Sequence, residues 1–371
     1  MDELTRLRDE LTALDRDILA LARRRQELVR AVGVYKSKAD RPIFDRRRER
    51  KVLERAERTA ADLGLAPELG RRLLGLLIEA SHDEQHSEVA ARAAETHSFC
   101  LVGGGGGMGR LLHRELTRRG HAVTVLERED GQDRRAVVSA AEIVVVCVPM
   151  AQASTVTREV AAWTREHALL CDINSLKEEI AGVLTECAPG EALGLHPMFG
   201  PTVSSLRRQK VVVCPLRDGP LSRWLVSELG QLGVDLIETD PATHDRMMAV
   251  VQVLVHFSTL VMGTALSRSG VSVQDSLRFT SPIYRLELAF TSRLFAQDPG
   301  LYAAIEMDNP VGPEVRAAFL EAARELIALI DAGDRAGFEA HFSALSSFFA
   351  GFADEGMALS DFLIDALVGR P

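Results

Sequence analysis

The amino-acid sequence predicts a chain of three parts: an all-α module of three helices, an α/β domain and a second all-α domain. Three observations carry that reading. Apolar residues from Leu4 to Tyr35 recur every three or four positions, the helical period. The apolar run Phe99-Cys100-Leu101-Val102 enters five consecutive glycines, Gly103 to Gly107, and strand-like and amphipathic segments alternate well beyond it. From Pro241 onward every segment reads as helix. The predicted boundaries are residues 1–90, a linker at 91–97, then 98–240 and 241–371. A chain of 371 residues is too long for one ordinary core, in keeping with several domains.

With 46% hydrophobic and 26% charged residues and a formal net charge of -9, the composition is that of a globular protein. The acidic balance argues against nucleic acid or an anionic membrane as a partner, while basic residues can still gather around an anionic substrate. Met1-Asp2-Glu3-Leu4-Thr5-Arg6 has no apolar signal segment, so the expected location is the cytoplasm. Cys100, Cys147, Cys171 and Cys214 fall within apolar runs and no Cys-x-x-Cys spacing occurs; buried thiols and no metal site are expected. Met247 to Ala265 has the length of a membrane span, but Gln252, His256, Ser258 and Thr259 interrupt it, which predicts a helix buried at a domain or subunit core.

In the first module, Leu4, Leu7, Leu11, Leu14, Ile18 and Leu21 form a seam of the coiled-coil type, and Leu28, Val32 and Tyr35 resume it. Between Leu21 and Leu28 the seam position is Arg25. A guanidinium in an apolar interface is costly unless an anion pairs with it. Arg8 and Lys36 lie close to the same stripe. Arg41-Pro42 should end this helix; beyond it Asp45, Arg48 and Glu49 share one helical face. A second break at Gly64 to Pro67 precedes a helix whose stripe, Leu74 and Ile78, runs on to Ser81 and Gln85. Pattern alone leaves two readings: solvated charges on an oligomerisation segment, or an anion site among three helices.

The glycine loop follows a strand and precedes a helix, and a second strand, Ala122 to Leu126, ends at Glu127. That context places Gly104, Gly106 and Gly109 in the register of a dinucleotide fingerprint, with Gly107 and Met108 inside the loop. Glycines let backbone N–H groups approach a pyrophosphate, and Glu127 is placed for the adenosine ribose, favouring NAD over NADP; Arg128, next in sequence, works against that preference. Further strands are expected at Ile143–Val148, Leu169–Ile173, Lys210–Cys214 and Val234–Ile237. Val148-Pro149 leaves its strand at the carboxyl edge, the usual ligand side, and Asp172 to Lys177 does the same. Ser175 reads there either as a helix N-cap or as a site hydroxyl. In Leu195-His196-Pro197-Met198-Phe199-Gly200-Pro201 the histidine is held between a strand end and two prolines, where imidazole can accept a proton near neutral pH.

In type and spacing, Arg8, Arg25, Lys36, Asp45, Arg48, Glu49, Ser81 and Gln85 resemble the active-site set of the all-helical class of chorismate mutase. The resemblance implies that Arg8, Arg25 and Arg48 hold the two carboxylates of chorismate, that Lys36 and Gln85 hydrogen-bond the breaking ether oxygen, and that Glu49 takes the ring hydroxyl. In that class one arginine of the first helix commonly crosses from a partner subunit. The remainder resembles prephenate dehydrogenase through the glycine loop, Asp172 to Lys177, His196 to Pro201, His244-Asp245, and Ser281 to Pro299. Together the two parts are similar to the bifunctional chorismate mutase/prephenate dehydrogenase family of tyrosine biosynthesis. The resemblance implies NAD as cofactor, His196 as the group acting on the substrate hydroxyl, and Arg293 as a carboxylate partner. It gives Ser175 and Lys177 positioning roles, and makes Arg285, His244 and Gln297 further substrate contacts. It implies a homodimer joined through the last domain and tyrosine as feedback inhibitor, with His256 linked to that inhibition. A mutase-inactive helical segment ahead of a working dehydrogenase, and a non-catalytic NAD or tyrosine sensor, are the rival readings.

Overall fold

The structure is a computed structural model that describes residues 2–38, 46–89, 95–129 and 131–368. α1 (Glu3–Lys38) is one uninterrupted helix of 36 residues, about 54 Å long at 1.5 Å per residue. It is followed by α2 (Arg46–Asp62) and α3 (Pro67–Val89). α2 and α3 pack closely because Gly70 has no side chain: a Cβ there would lie 2.5 Å from the Ala56 carbonyl oxygen and 2.8 Å from Ala60 Cβ. Ala56 and Ala60 are accordingly buried. The seam of α1 is not: Leu4, Leu7, Leu11, Leu14, Ile18, Leu21 and Leu28 are all exposed.

The central domain is a seven-stranded sheet in the order β2-β1-β3-β4-β5-β6-β7. Its strands are β1 (Ser98–Val102), β2 (Ala122–Leu126), β3 (Ile143–Val146), β4 (Leu169–Asp172), β5 (Glu191–Pro197), β6 (Lys210–Arg217) and β7 (Asp235–Glu238). The first five are parallel, β6 is antiparallel to β5, and β7 is parallel to β6. Between them run α4 (Gly107–Arg118), α5 (Arg134–Ala140), α6 (Met150–Ala161), α7 (Glu178–Cys187) and α8 (Pro220–Gln231). Alternate residues of each strand serve opposite faces. Phe99, Leu101, Ile143, Val145, Leu169 and Leu193 pack with Leu111 of α4 and Leu225 of α8. Cys100, Val102, Val144, Val146 and Leu170 pack with Val138, Val160 and Leu184 of α5, α6 and α7. β1, β3, β4 and β5 therefore bring Val102, Val146, Asp172 and His196 to one carboxyl edge. β5 is absent from the runs expected from sequence, because its apolar stretch, Ala192 to Leu195, is short and contains Gly194.

The last part is helical: α9 (Pro241–Met248), a π-helical turn at Ala249–Leu254, α10 (Val255–Arg268), α11 (Val273–Leu277), α12 (Pro282–Phe295), α13 (Pro299–Asp308), α14 (Gly312–Asp331), α15 (Arg335–Phe349) and α16 (Ala353–Val368). The stretch Met247 to Ala265, expected to be buried, is largely uncovered within one chain: Met247, Val250, Val251, Val255 and Val261 are exposed, and α10 has no buried residue. Its length and apolarity qualify as a membrane span by composition alone. The rest of the domain carries the same kind of surface, with Phe342, Phe348 and Phe362 exposed.

Candidate active sites

At the carboxyl edge of the sheet the glycine loop makes a cradle with no room for side chains. Gly103 turns the chain out of β1 in the left-handed region, φ +75°, with a Cβ there set to strike Val148. A Cβ on Gly104 would lie 2.8 Å from Leu101 Cβ, and one on Gly109 would lie 2.4 Å from Gly104 Cα, so α4 starts directly against the loop. Gly106 is the N-cap of α4 without a side-chain cap, leaving the first N–H groups of the helix for a ligand. Met108 packs partly buried against the core, and Pro149 is the N-cap of α6 beside Val148. Glu127 ends β2 and accepts a hydrogen bond from the Gly105 N–H, which folds its carboxylate over the loop. These residues fit a dinucleotide: the cradle is one that any Cβ would fill, and an acid stands where the ribose hydroxyls would lie.

The segment after β5 lies over that cradle, since a Cβ on Gly107 would come within 2.9 Å of Pro201 Cγ. His196 is 2% exposed at the end of β5. Its Nδ1 lies 2.9 Å from His244 Nε2, and His244 Nδ1 lies 2.6 Å from Asp245 Oδ1. Asp245 also accepts from the backbone N–H groups of Lys177 and Glu178 at 2.8 and 2.9 Å, so it caps α7 from a distant part of the chain. The amide of Gln252, on the π-helical turn, stands 3.4 Å from His196 Nε2. Burial, the Lys177 charge and the His244 ring hold His196 well below the ordinary histidine pKa, so it is a neutral base over the physiological range. The Arg293 guanidinium reaches the segment after β5, where a Cβ on Gly200 would lie 3.9 Å from its Nη2.

Several expected contacts are corrected here. His244 is 1% exposed with both ring nitrogens committed to protein partners; it supports His196 instead of binding substrate. Lys177 is fully buried and its ammonium is paired with Asp172 beneath Gly194, so it acts on the site through its field and not by touch. Gln297 donates its side-chain amide to the Arg293 carbonyl and caps the end of α12. Ser175 is half-buried and is not the N-cap of α7, a position held by Lys177. Arg285 is exposed on α12, and His256 is half-buried edge-on to Tyr302, ring centroids 4.9 Å apart. Gln252 is a site residue that sequence reasoning passed over. Its signal in the sequence is the polar interruption of an apolar run.

In the helical module, Arg25 Nη1 donates to Ser81 Oγ at 2.7 Å and to the Leu77 carbonyl at 2.8 Å. Gln26 joins them, accepting from Ser81 at 2.6 Å. The seam arginine is thus drawn out of the apolar stripe onto α3, and burial holds its pKa below the ordinary arginine value. Glu49 on α2 is half-buried and faces Arg208 of the β5–β6 loop at 3.7 Å, while Arg48 is exposed. Arg8 is exposed on the same helix as Arg25, and 17 positions along a straight helix is about 25 Å. Asp45 lies outside the described residues, as do the side chains of Lys36 and Gln85.

Comparison with known proteins covers the same ground from end to end. The family model of chorismate mutase type II matches residues 7–86. Those of the prephenate dehydrogenase nucleotide-binding and dimerization domains match residues 114–226 and 240–344. The T-protein of Enterobacter agglomerans is 34% identical over 352 residues, 95% of this chain and 94% of that protein. The T-protein of Haemophilus influenzae is 32% identical over 356 residues, 96% of this chain and 94% of that one. Among solved structures, prephenate dehydrogenase from A. aeolicus in complex with hydroxyphenyl propionate and NAD+ is similar with a TM-score of 0.57 at 17% identity, over 70% of this chain and 99% of that one. Synechocystis arogenate dehydrogenase is similar with a TM-score of 0.55 at 21% identity and the same coverages, 70% and 99%; at such identities the likeness is one of fold. With relatives a third identical along nearly its whole length, the chain belongs to the T-protein family, the bifunctional chorismate mutase/prephenate dehydrogenases of tyrosine biosynthesis.

Proposed function

We propose that this chain rearranges chorismate to prephenate in its first module and oxidatively decarboxylates prephenate to 4-hydroxyphenylpyruvate in the rest, with residues 1–90, 98–240 and 241–371 as working units. The observation that carries the dehydrogenase assignment is a buried, neutral His196 at the carboxyl edge, under a segment that packs on the glycine cradle. Gly104, Gly106, Gly107, Met108 and Gly109 would hold the pyrophosphate side of NAD, Glu127 the ribose, and Val148 and Pro149 the floor beyond β3. When bound, NAD⁺ supplies the hydride acceptor. The chain's own residues do the rest. Arg293 pairs with a substrate carboxylate, which its planar fork matches. Ser175 orients the C4 hydroxyl, and His196 Nε2 receives its proton as hydride leaves C4 and CO₂ leaves the ring.

Chorismate rearrangement needs no proton transfer, so its site has only to clamp a dianion and favour the charge that develops at the ether oxygen. Arg25, already fixed by Ser81, is preorganised for a carboxylate. Because Arg8 and Arg25 of one chain are too far apart to grip one substrate, Arg8 serves the site of a second copy, and the exposed seam of α1 is the face that meets it. The uncovered faces of α10, α15 and α16 are the second zone of the same homodimer. The protein is a soluble cytoplasmic enzyme on this reading. Tyrosine, the end product, acts as feedback inhibitor at the His256–Tyr302 position, and His256→Ala should relieve the inhibition.

The test is direct. Purified protein given chorismate alone should form prephenate, and NADH should appear only when NAD⁺ is added. NADH from prephenate with no consumption of chorismate would leave only the dehydrogenase half standing.

A further inference from the structure

His196 has two ring nitrogens, and the base reading uses only Nε2. Behind the other lies a line of partners: Nδ1 to His244 Nε2 at 2.9 Å, then His244 Nδ1 to Asp245 Oδ1 at 2.6 Å. Asp245 accepts from the Lys177 and Glu178 N–H groups as well, so both of its carboxylate oxygens face donors. Every proton in the line is thereby placed. His244 carries its hydrogen on Nδ1 and presents a lone pair at Nε2; His196 donates from Nδ1 to that lone pair and keeps its own at Nε2, facing the Gln252 amide at 3.4 Å.

We propose that His244 and Asp245 are a proton relay behind the base, a use that rests on His196 accepting the substrate hydroxyl proton. As that proton forms a bond with His196 Nε2, the Nδ1–H bond breaks and its proton passes to His244 Nε2. His196 ends neutral in the opposite tautomer, and His244 becomes an imidazolium whose Nδ1–H faces the Asp245 carboxylate. Hydride goes to NAD⁺ and CO₂ departs, so the His244 charge is the one the protein must carry until product leaves and the relay runs back.

The surrounding charges favour the inner ring. His196 is faced by the Lys177 ammonium, whose own pair partner is Asp172. The Cys214 thiol on β6, pushed up to about 11 by burial, is neutral. His244 has the Asp245 carboxylate in direct contact and is shielded from water, 1% exposed. A positive charge on His196 would meet a buried cation, whereas on His244 it meets an anion.

The test is single-turnover NADH formation by the wild-type enzyme from prephenate and NAD⁺ in mixtures of H₂O and D₂O. Two protons moving together give a rate that bows with deuterium fraction; a straight line overturns the relay. A wild-type protein that makes no NADH from prephenate would overturn the reaction assignment instead. His244→Gln can accept from His196 Nδ1 but cannot take its proton. It should lower kcat about 100-fold with both KM values within about threefold of wild type. Its isotope dependence should become linear. Near-normal turnover with an isotope dependence that stays bowed would show a merely structural His244. NAD⁺ binding reports whether the variant is folded, and if it is not, the wild-type isotope dependence decides.

Discussion

In the dehydrogenase domain His196, Lys177, His244 and Asp245 are each exposed by 2% or less, while in the helical module Leu11, Leu14 and Ile18 are 59%, 57% and 53% exposed. The first site has its base, the partners of that base and the cofactor cradle in one chain. The second has Arg25 and Ser81 in place but an apolar seam open to water and a second arginine out of reach. A long amphipathic helix with its seam uncovered is half of an interface. The contrast sets the two proposed sites apart: the residues around His196 are brought together within one chain, whereas on the reading proposed above the mutase pocket is completed by association.

The largest effect should come from removing the base. His196→Asn should lower prephenate turnover by roughly 10³- to 10⁴-fold while NAD⁺ binding and chorismate rearrangement persist; loss of cofactor binding would show that His196 belongs to the cradle. Next, Arg25→Ala should reduce mutase activity by about 10²- to 10³-fold or more and leave NADH formation from prephenate intact. A fall in both activities would erase the distinction between the sites.

A stability effect follows from the far end of the sheet, where Arg119 and Glu228 form a buried two-point pair at 2.5 and 2.8 Å joined by His121 at 3.4 Å. Burial alone would raise the Glu228 carboxyl, but hydrogen bonds from His121 and Arg119 and the Arg119 charge hold it at about 2. Its folded value lies below its ordinary one, so the pair's contribution is fully present above the usual carboxylate range and fades as pH falls toward 2. Arg119→Met, which leaves the carboxylate buried without its partner, should destabilise the central domain by about 3–5 kcal/mol. Denaturant unfolding of both proteins at neutral and acidic pH checks this: the difference should shrink at low pH.

How much of this was legible in the sequence depended on whether a residue's role was local. The glycine loop, Glu127 and β2 follow from spacing within one strand-turn-helix unit: β2 forms at Ala122–Leu126 and Glu127 folds onto the loop at Gly105. His196 was readable because prolines and a strand end flank it. The roles of its supports were not: Asp245 caps a helix that begins 67 positions earlier, at Glu178, and His244 reaches His196 across 48 positions. The burial of Lys177 was not legible, because nothing local shows that Asp172 turns inward to pair with it. Gln297 is local in the opposite sense, an amide at a helix end that satisfies its own helix through the Arg293 carbonyl. The seam of α1 and the run at Met247 to Ala265 were recognised as apolar, but burial within the chain and burial against a second chain look alike in sequence.

Subunit complementation tests the contrast most directly. Arg8→Ala and Arg25→Ala proteins, each without mutase activity as homodimers, are mixed, unfolded and refolded together. With Arg8 crossing between copies, each mixed dimer regains one intact site, and half of the dimers are mixed, so mutase activity should recover to about a quarter of wild type. No recovery above the separate variants would place both arginines of a site on the same chain and contradict the account.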